Sequence, residues 1–214
     1  MSLALDAVTI EQTLAPLHPL GSGAAERLAT WTRVLSTWNA AQRLVGWRRS
    51  EDLLHKGLAD CWRGRALVEL SAWPSLLDVG SGSGLPGLIL AADAPDLPVH
   101  LVEARRKRAA FLREAARAMG LSHVVVHHGR SADVRQGLAL DGCLFVSRAF
   151  AAPEDAAGEA STWNAGGLLV GTSAAKVDAT AWPPAGWRAP DPEHGISRRR
   201  MAGDHHELLL RASL

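Results

Sequence analysis

An α/β fold with a mostly parallel sheet is predicted here, and three observations carry the prediction. From Pro74 onward, short apolar runs alternate with stretches of helical periodicity, the pattern of right-handed βαβ units. The first apolar run, Leu76–Val79, breaks into Gly80-Ser81-Gly82-Ser83-Gly84 and resumes as the apolar stretch Leu88–Ala91. That is a buried strand, a tight turn free of Cβ atoms and a helix N-terminus. Before Pro74 the apolar spacing is mainly helical. The chain thus reads as an N-terminal helical extension over residues 1–73 and a Rossmann-like domain over 74–214, its sheet closed by a C-terminal antiparallel hairpin.

Bulk properties set the bounds. At 214 residues, with 47% hydrophobic and 21% charged residues, the chain can bury one good core. A net charge of +1 gives no global argument for a polyanionic partner, so local clusters must carry any such case. No apolar run approaches the ~18–20 residues of a membrane span, and Met1 to Ile10 lacks a basic region followed by an apolar core. The expectation is a soluble, cytoplasmic monomer that makes no use of membranes. Cys61 and Cys143 sit in no metal-type spacing and read as buried thiols. The adjacent pairs His127-His128 and His205-His206 point apart on strands, so no metal site is expected.

The elements follow in order. Ile10, Leu14 and Leu17 form one short amphipathic pattern closed by Pro16 and Pro19. A stronger helix carries Leu28, Trp31, Leu35 and Trp38, with Ser22 or Gly23 as its cap. Asn39 to Trp47 is a turn anchored by Leu44-Val45, and Ser50-Glu51-Asp52 opens a helix bearing Leu53, Leu54, Leu58 and Trp62. The tryptophans of this region read as core. The second strand is Val99–Glu103, and a helix from near Arg105 buries Phe111, Leu112, Ala115 and Met119 before Gly120 ends it. Strand three is Val124–His127, with a short helix after Ser131-Ala132-Asp133, and strand four is Cys143–Ser147. Pro153 starts an alanine-rich helix up to about Trp163, and strand five is Leu168–Gly171. The proline-rich residues 178–192 predict an irregular loop, and Gly195–Arg200 with Glu207–Arg211 predict the closing hairpin.

Chemistry concentrates at the glycine turn. Asp78 ends the first strand beside Gly80, Gly82 and Gly84. A carboxylate there would repel a pyrophosphate and suits the ammonium and sulfonium of S-adenosylmethionine. Glu103 ends the next strand at roughly the ~20-residue distance at which an acid meets a ribose diol. The pair predicts an S-adenosylmethionine site, with NAD as the alternative. The third strand should bring Gly129-Arg130-Ser131-Ala132-Asp133 to the edge of the base pocket, Asp133 either lining it or capping a helix. Ser147-Arg148-Ala149-Phe150 follows strand four and should face the acceptor. It is not the Asn/Asp-Pro-Pro-aromatic clamp of amino-methylating enzymes, and Cys143, at the start of a buried strand, is badly placed as a nucleophile. Arg148 suits an acceptor that is anionic or offers hydrogen-bond acceptors, unless it pairs with Glu154 or Asp155. Basic clusters occur at Arg48-Arg49, Arg105–Arg108 and Arg198–Arg200 and read as solvated faces or phosphate sites. The start of a helix disfavours cations, which tilts Arg105–Arg108 toward phosphate.

With these residues in view, the chain resembles the small-subunit ribosomal RNA guanine-N7 methyltransferase family, also called the glucose-inhibited division protein B family. The resemblance runs from about Trp38 to the C-terminus. It rests on Trp38-Asn39, on Asp78 through Gly87, on Lys107-Arg108 with Phe111-Leu112, on Gly129-Arg130 and on Ser147-Arg148-Ala149-Phe150. It implies a class I S-adenosylmethionine-dependent methyltransferase acting on N7 of a guanine in 16S rRNA of the 30S subunit. It further implies that Gly80 and Leu85 line the methionine side and that Ser131 and Ala132 hold the adenine. Arg130 and Arg148 become the pocket arginines, with Arg148 at the reaction centre. Guanine N7 has a free lone pair and no proton to remove, which fits a site with no evident base.

The chain also departs from the family pattern. Arg43-Leu44-Val45 stands where the family usually has Asn-Leu-Thr, and Gly171-Thr172-Ser173-Ala174 replaces a segment that commonly supplies a lysine. His205-His206 replaces Arg-His, and the family's His-x-x-Asp-Ser is loosened to His55 and Asp60-Cys61. Two alternatives therefore stand beside the rRNA enzyme. One is a related methyltransferase retargeted to another RNA or a small molecule, the other a non-catalytic S-adenosylmethionine-binding protein associated with the ribosome.

Overall fold

The apolar runs assemble into one eight-stranded sheet around which the helices are layered. The computed structural model describes residues 2–148, 152–173, 187–188, 199–200 and 205–212. Strands β1 (Leu76–Val79), β2 (Val99–Glu103), β3 (Val124–His128), β4 (Leu144–Arg148) and β5 (Gly167–Ser173) are mutually parallel. β8 (His205–Ala212) runs antiparallel to β5 and pairs with the two-residue strands β6 (Trp187–Arg188) and β7 (Arg199–Arg200). The spatial order is β3-β2-β1-β4-β5-β8-β6, with β7 on β8. Strand order reverses between β1 and β4, and such a reversal opens a crevice at the strands' carboxyl ends.

Both faces of the sheet are covered, which is why β1 and β4 are apolar at consecutive positions. Leu76, Leu144 and Val146 pack with the helical extension, with α5 (Gly87–Ala91) and with α6 (Arg106–Ala118). Leu77, Val79, Phe145 and Leu168 pack on the other face against Ala156, Ala160 and Trp163, carried by and following α8 (Pro153–Thr162). The extension contributes α1 (Ala7–Leu14), α2 (Ala24–Gln42), α3 (Ser50–Leu53) and α4 (Ala59–Arg65). Trp31 and Trp62 are fully buried in the same cluster as Leu88, Leu101 and Phe111. Trp38 meets Phe111 edge-on at 5.9 Å, and Asn39 closes the turn behind it by accepting the Val45 N–H at 2.9 Å.

Three predicted elements differ in detail. The turn expected from Asn39 begins only after Gln42, where α2 ends. The helix expected from Ser50 onward is interrupted by a π-helical turn over Leu54–Leu58, where the Ala59 N–H donates to Leu54 O. Within the stretch predicted to be an irregular loop, Trp187 and Arg188 pair with β8 and the Trp187 indole donates to Ser161 Oγ at 3.1 Å. The rest of 178–192, residues 195–198 and Ala149-Phe150 lie outside the described residues. Among the described residues no helix is long and apolar enough to cross a membrane.

Candidate functional site

The glycine turn is held by backbone bonds on one side and by acids on the other. Gly80, Gly82 and Gly84 all have positive φ, at 74°, 54° and 86°, a region that costs side-chain-bearing residues. At Gly84 a Cβ would also lie 2.6 Å from Leu88 Cδ1. The Gly80 N–H donates to Val102 O at 2.8 Å and the Gly84 N–H to Ser81 O at 2.6 Å, tying the turn to β2 and to itself. The Leu85–Pro86 peptide is cis, and Leu85 is buried.

Asp78 is 1% exposed, and its Oδ2 accepts the Gly87 N–H at 3.0 Å. The carboxylate thus faces the first turn of α5 beneath the glycines. Burial, joined by the nearby Glu103 carboxylate, pushes its pKa up from 3.8 to about 7 against the opposing pull of the Gly87 N–H. Glu103 accepts the Gly82 N–H at 3.0 Å on Oε2 and the Arg105 N–H at 2.7 Å on Oε1. Each of its oxygens keeps a second lone pair, so the acid that shapes the turn can still accept from a ligand hydroxyl.

Beside this turn, at the carboxyl ends of β1, β2 and β3, lies a cavity of about 580 Å³. Gly80, Glu103, Arg105, Arg108, Arg130 and Ser131 are on its wall. Four of the sequence-predicted residues, Gly80, Glu103, Arg130 and Ser131, therefore meet at one cavity. Gly82, Gly84 and Leu85 are buried in the turn behind it, and Ala132 is exposed on α7 (Ser131–Arg135). The Ser131 hydroxyl donates to Glu159 and accepts the Trp163 indole N–H at 2.9 Å. That fixes the start of α7 against α8, while the first N–H groups of α7 have no carbonyl within their own helix.

Arg148 lies elsewhere, off that cavity wall, at the end of β4. Its side chain is 11% exposed, and it pairs not with Glu154 or Asp155 but with the extension. Nη2 donates to the Lys56 carbonyl in the π turn and approaches Asp60 Oδ2 at 3.4 Å, while the guanidinium sits 5.8 Å from the centre of the Trp47 ring. Asp60 is 2% exposed and also binds Arg63 at 2.8 Å. Arg63 and Trp47 beside Arg148 are residues that sequence reasoning missed, and Asp60 was singled out only as a remnant of the family motif, without its partner. The available signal was an acid flanked by Leu58, Ala59, Cys61 and Trp62, a position that needs a charged partner.

Burial pushes the Cys143 thiol up to about 12, so it is no thiolate nucleophile. Among the described residues no three His, Cys, Asp or Glu side chains gather as a metal site.

Known proteins resemble the chain over this same core. The family model GidB, described as rRNA small subunit methyltransferase G, matches residues 24–169. Two curated relatives carry the name ribosomal RNA small subunit methyltransferase G. The one from Alkalilimnicola ehrlichii is 43% identical over 133 residues, 62% of this chain and 58% of that protein. The one from Granulibacter bethesdensis is 42% identical over 120 residues, 54% of this chain and 55% of that protein. The matched stretch thus spans a little over half the length of these relatives. A candidate O-methyltransferase from Klebsiella pneumoniae superposes with a TM-score of 0.57 at 14% identity, covering 96% of this chain and 97% of that one. An MtNAS variant in complex with S-adenosylmethionine gives a TM-score of 0.56 at 14% identity, covering 97% and 78%. At such identities the likeness establishes the shared fold alone.

Proposed function

We propose, for a chain that belongs to the rRNA small subunit methyltransferase G family, transfer of a methyl group from S-adenosylmethionine to N7 of a guanine in 16S rRNA. The observation that carries this reading is the family match over residues 24–169, which takes in the glycine turn, Glu103, Arg130 and Arg148. The cavity beside the turn suits the cofactor. Its size falls among small-molecule pockets, Gly80 and Gly129 are on its wall and Glu103 can accept from a ribose diol. Gly80 and Leu85 take the methionine side, with Asp78 and Gly82 and Gly84 shaping the turn, and Ser131 and Ala132 take the adenine. When bound, the cofactor supplies an electrophilic methyl group on a sulfonium.

This chain's own task is then alignment. Guanine N7 carries a lone pair and no proton, so no side chain need act as base. The carboxylates near the turn are engaged by backbone N–H groups, in keeping with that demand. Arg130 and Arg148 offer donors to the substrate, and a donor on O6 of a splayed guanine leaves the N7 lone pair free for the methyl group. In this reading residues 74–214 form the methyltransferase domain and residues 1–73 the extension that braces it. The protein works as a monomer on the 30S subunit in the cytoplasm, without a metal.

The test is tritiated methyl transfer to 30S subunits from a strain lacking the modification, followed by digestion and nucleoside analysis. 7-Methylguanosine is the expected product. No incorporation by protein shown to bind S-adenosylmethionine would refute the assignment and favour another acceptor.

A further inference from the structure

A second concave surface adjoins the cofactor cavity, and its wall is almost wholly cationic. Arg43, Arg105, Arg106, Lys107 and Arg108 line a cavity of about 440 Å³ completed by Ala41 and Gln42. It lies where the end of α2 meets the start of α6, two helices that pack on each other through Trp38 and Phe111. We propose that this surface is a cradle for the sugar–phosphate backbone of a single-stranded or looped RNA, gripping the strand whose base enters the neighbouring site. The identity of the polyanion rests on the functional reading above. The site itself rests on the following geometry.

Five like charges on one concave wall repel one another, and no acidic side chain lines that wall. Among the described residues none of the five takes part in an ion pair. Ordinary solvated helix faces mix signs, as further along α6, where Arg117 pairs with Glu114 at 2.7 Å. The first turn of α6 instead has no acid and no side-chain cap, so its cations also face the positive end of the helix dipole. Arg43 adds a cost of its own, since it ends α2 in the left-handed region at φ 45° and ψ 59°, where glycine is the usual residue. That conformation leaves Arg43 on the same wall as the α6 cations. A bound anion offsets the repulsion and the helix-end cost together.

The layout further favours a polyanion over a single phosphate. Arg105 and Arg108 line both this surface and the cofactor cavity, so the two share a wall. A strand lying along the cradle passes directly beside the cavity, and five cations can neutralise several successive phosphates. Backbone contacts of this kind position a substrate without reading its sequence.

The experiment uses the full chain and a fluorescently labelled single-stranded RNA oligonucleotide. The triple variant Arg43→Gln/Arg106→Gln/Lys107→Gln keeps the two residues that also face the cofactor cavity. Each phosphate contact on a single strand contributes about 0.7 to the slope of log affinity against log salt. Removal of three cations should lower that slope by about 2, while the dissociation constant for S-adenosylmethionine stays unchanged and the thermal melt holds or rises as the repulsion is relieved. An unchanged slope in the triple variant, with wild type still methylating 30S subunits, would overturn the cradle and leave the functional reading intact. Wild type that neither methylates 30S subunits nor binds the RNA with salt-dependent affinity would remove the functional reading and the cradle with it.

Discussion

Asp78→Asn should change how the stability of the ligand-free protein depends on pH, and the size of the effect follows from the site. Burial, with Glu103 adding to it, raises the Asp78 carboxyl from 3.8 to about 7. Over the window between those values the native state keeps a proton that the unfolded chain has lost. The native state is then the better proton binder, so stability falls as pH rises, by about 1.4 kcal/mol per pH unit. Across the full window the loss is about 4 kcal/mol, and between pH 5 and 8 it is about 3 kcal/mol. Below about pH 3 the group is protonated in both states and contributes almost no slope. An asparagine carries no charge at any pH and retains an oxygen for the Gly87 N–H.

Urea unfolding of wild type and Asp78→Asn at pH 5, 6, 7 and 8 isolates this group, because histidines and other titrating residues are common to both proteins. The difference in unfolding free energy should move by about 3 kcal/mol in favour of the asparagine variant from pH 5 to pH 8. A difference that stays constant over that range would mean that Asp78 is ionised throughout. The buried, acid-flanked account of the turn would then be wrong.

Three further outcomes follow from the same contacts. Gly84→Ala combines a φ of 86° with a Cβ 2.6 Å from Leu88 Cδ1 and should lose about 2–3 kcal/mol in urea unfolding. Trp31→Phe removes an indole N–H that donates to Ser83 O at 3.1 Å. It should cost about 2 kcal/mol and weaken S-adenosylmethionine binding, as read by calorimetry. Asp60→Ala strips the buried partner from Arg63 and Arg148 and should cost about 3 kcal/mol. A loss under about 1 kcal/mol, in the range of exposed pairs, would show that the pairing is solvated.

Legibility in the sequence followed how local the cause was. β1 and β2 lie where the apolar runs and the glycine turn put them, since a parallel strand buried on both faces needs a continuous apolar stretch. Arg106–Ala118 and Pro153–Thr162 were equally legible, from helical periodicity in the first and a proline at N1 in the second. The presence of Asp78 and Glu103 at strand ends was visible, but not that both would spend oxygens on backbone N–H groups of the turn. Those partners exist only once the turn has folded over β2. The π turn at Leu54–Leu58 was hidden because apolar spacing cannot distinguish a five-residue step from a four-residue one over a single turn. Arg148 posed the hardest case. Acids close in sequence, Glu154 and Asp155, competed with an acid in the extension, and only packing of α4 near the end of β4 brings Asp60 to it.

That packing explains why the extension cannot be treated as an appendage to the site. α5 is only five residues long, too short to hold itself as a helix, yet the glycine turn depends on its position. The extension grips this unit at both ends. At its start Trp31 binds Ser83 O. At its end Arg27 donates to Ala92 O at 2.8 Å, and Asp93 accepts from Arg65 at 2.8 Å and from the Gly21 N–H at 2.6 Å. A third tie runs from Asp60 and the Lys56 carbonyl to Arg148. The turn and the arginine at the end of β4 belong to different βα units, and the shared sheet fixes only their backbones. Asp78 and Glu103 hold the turn from the sheet, while the ties at Ser83, at the end of α5 and at Arg148 come from the extension. A change in α2 or α4 should therefore alter the glycine turn and Arg148 before it alters the sheet.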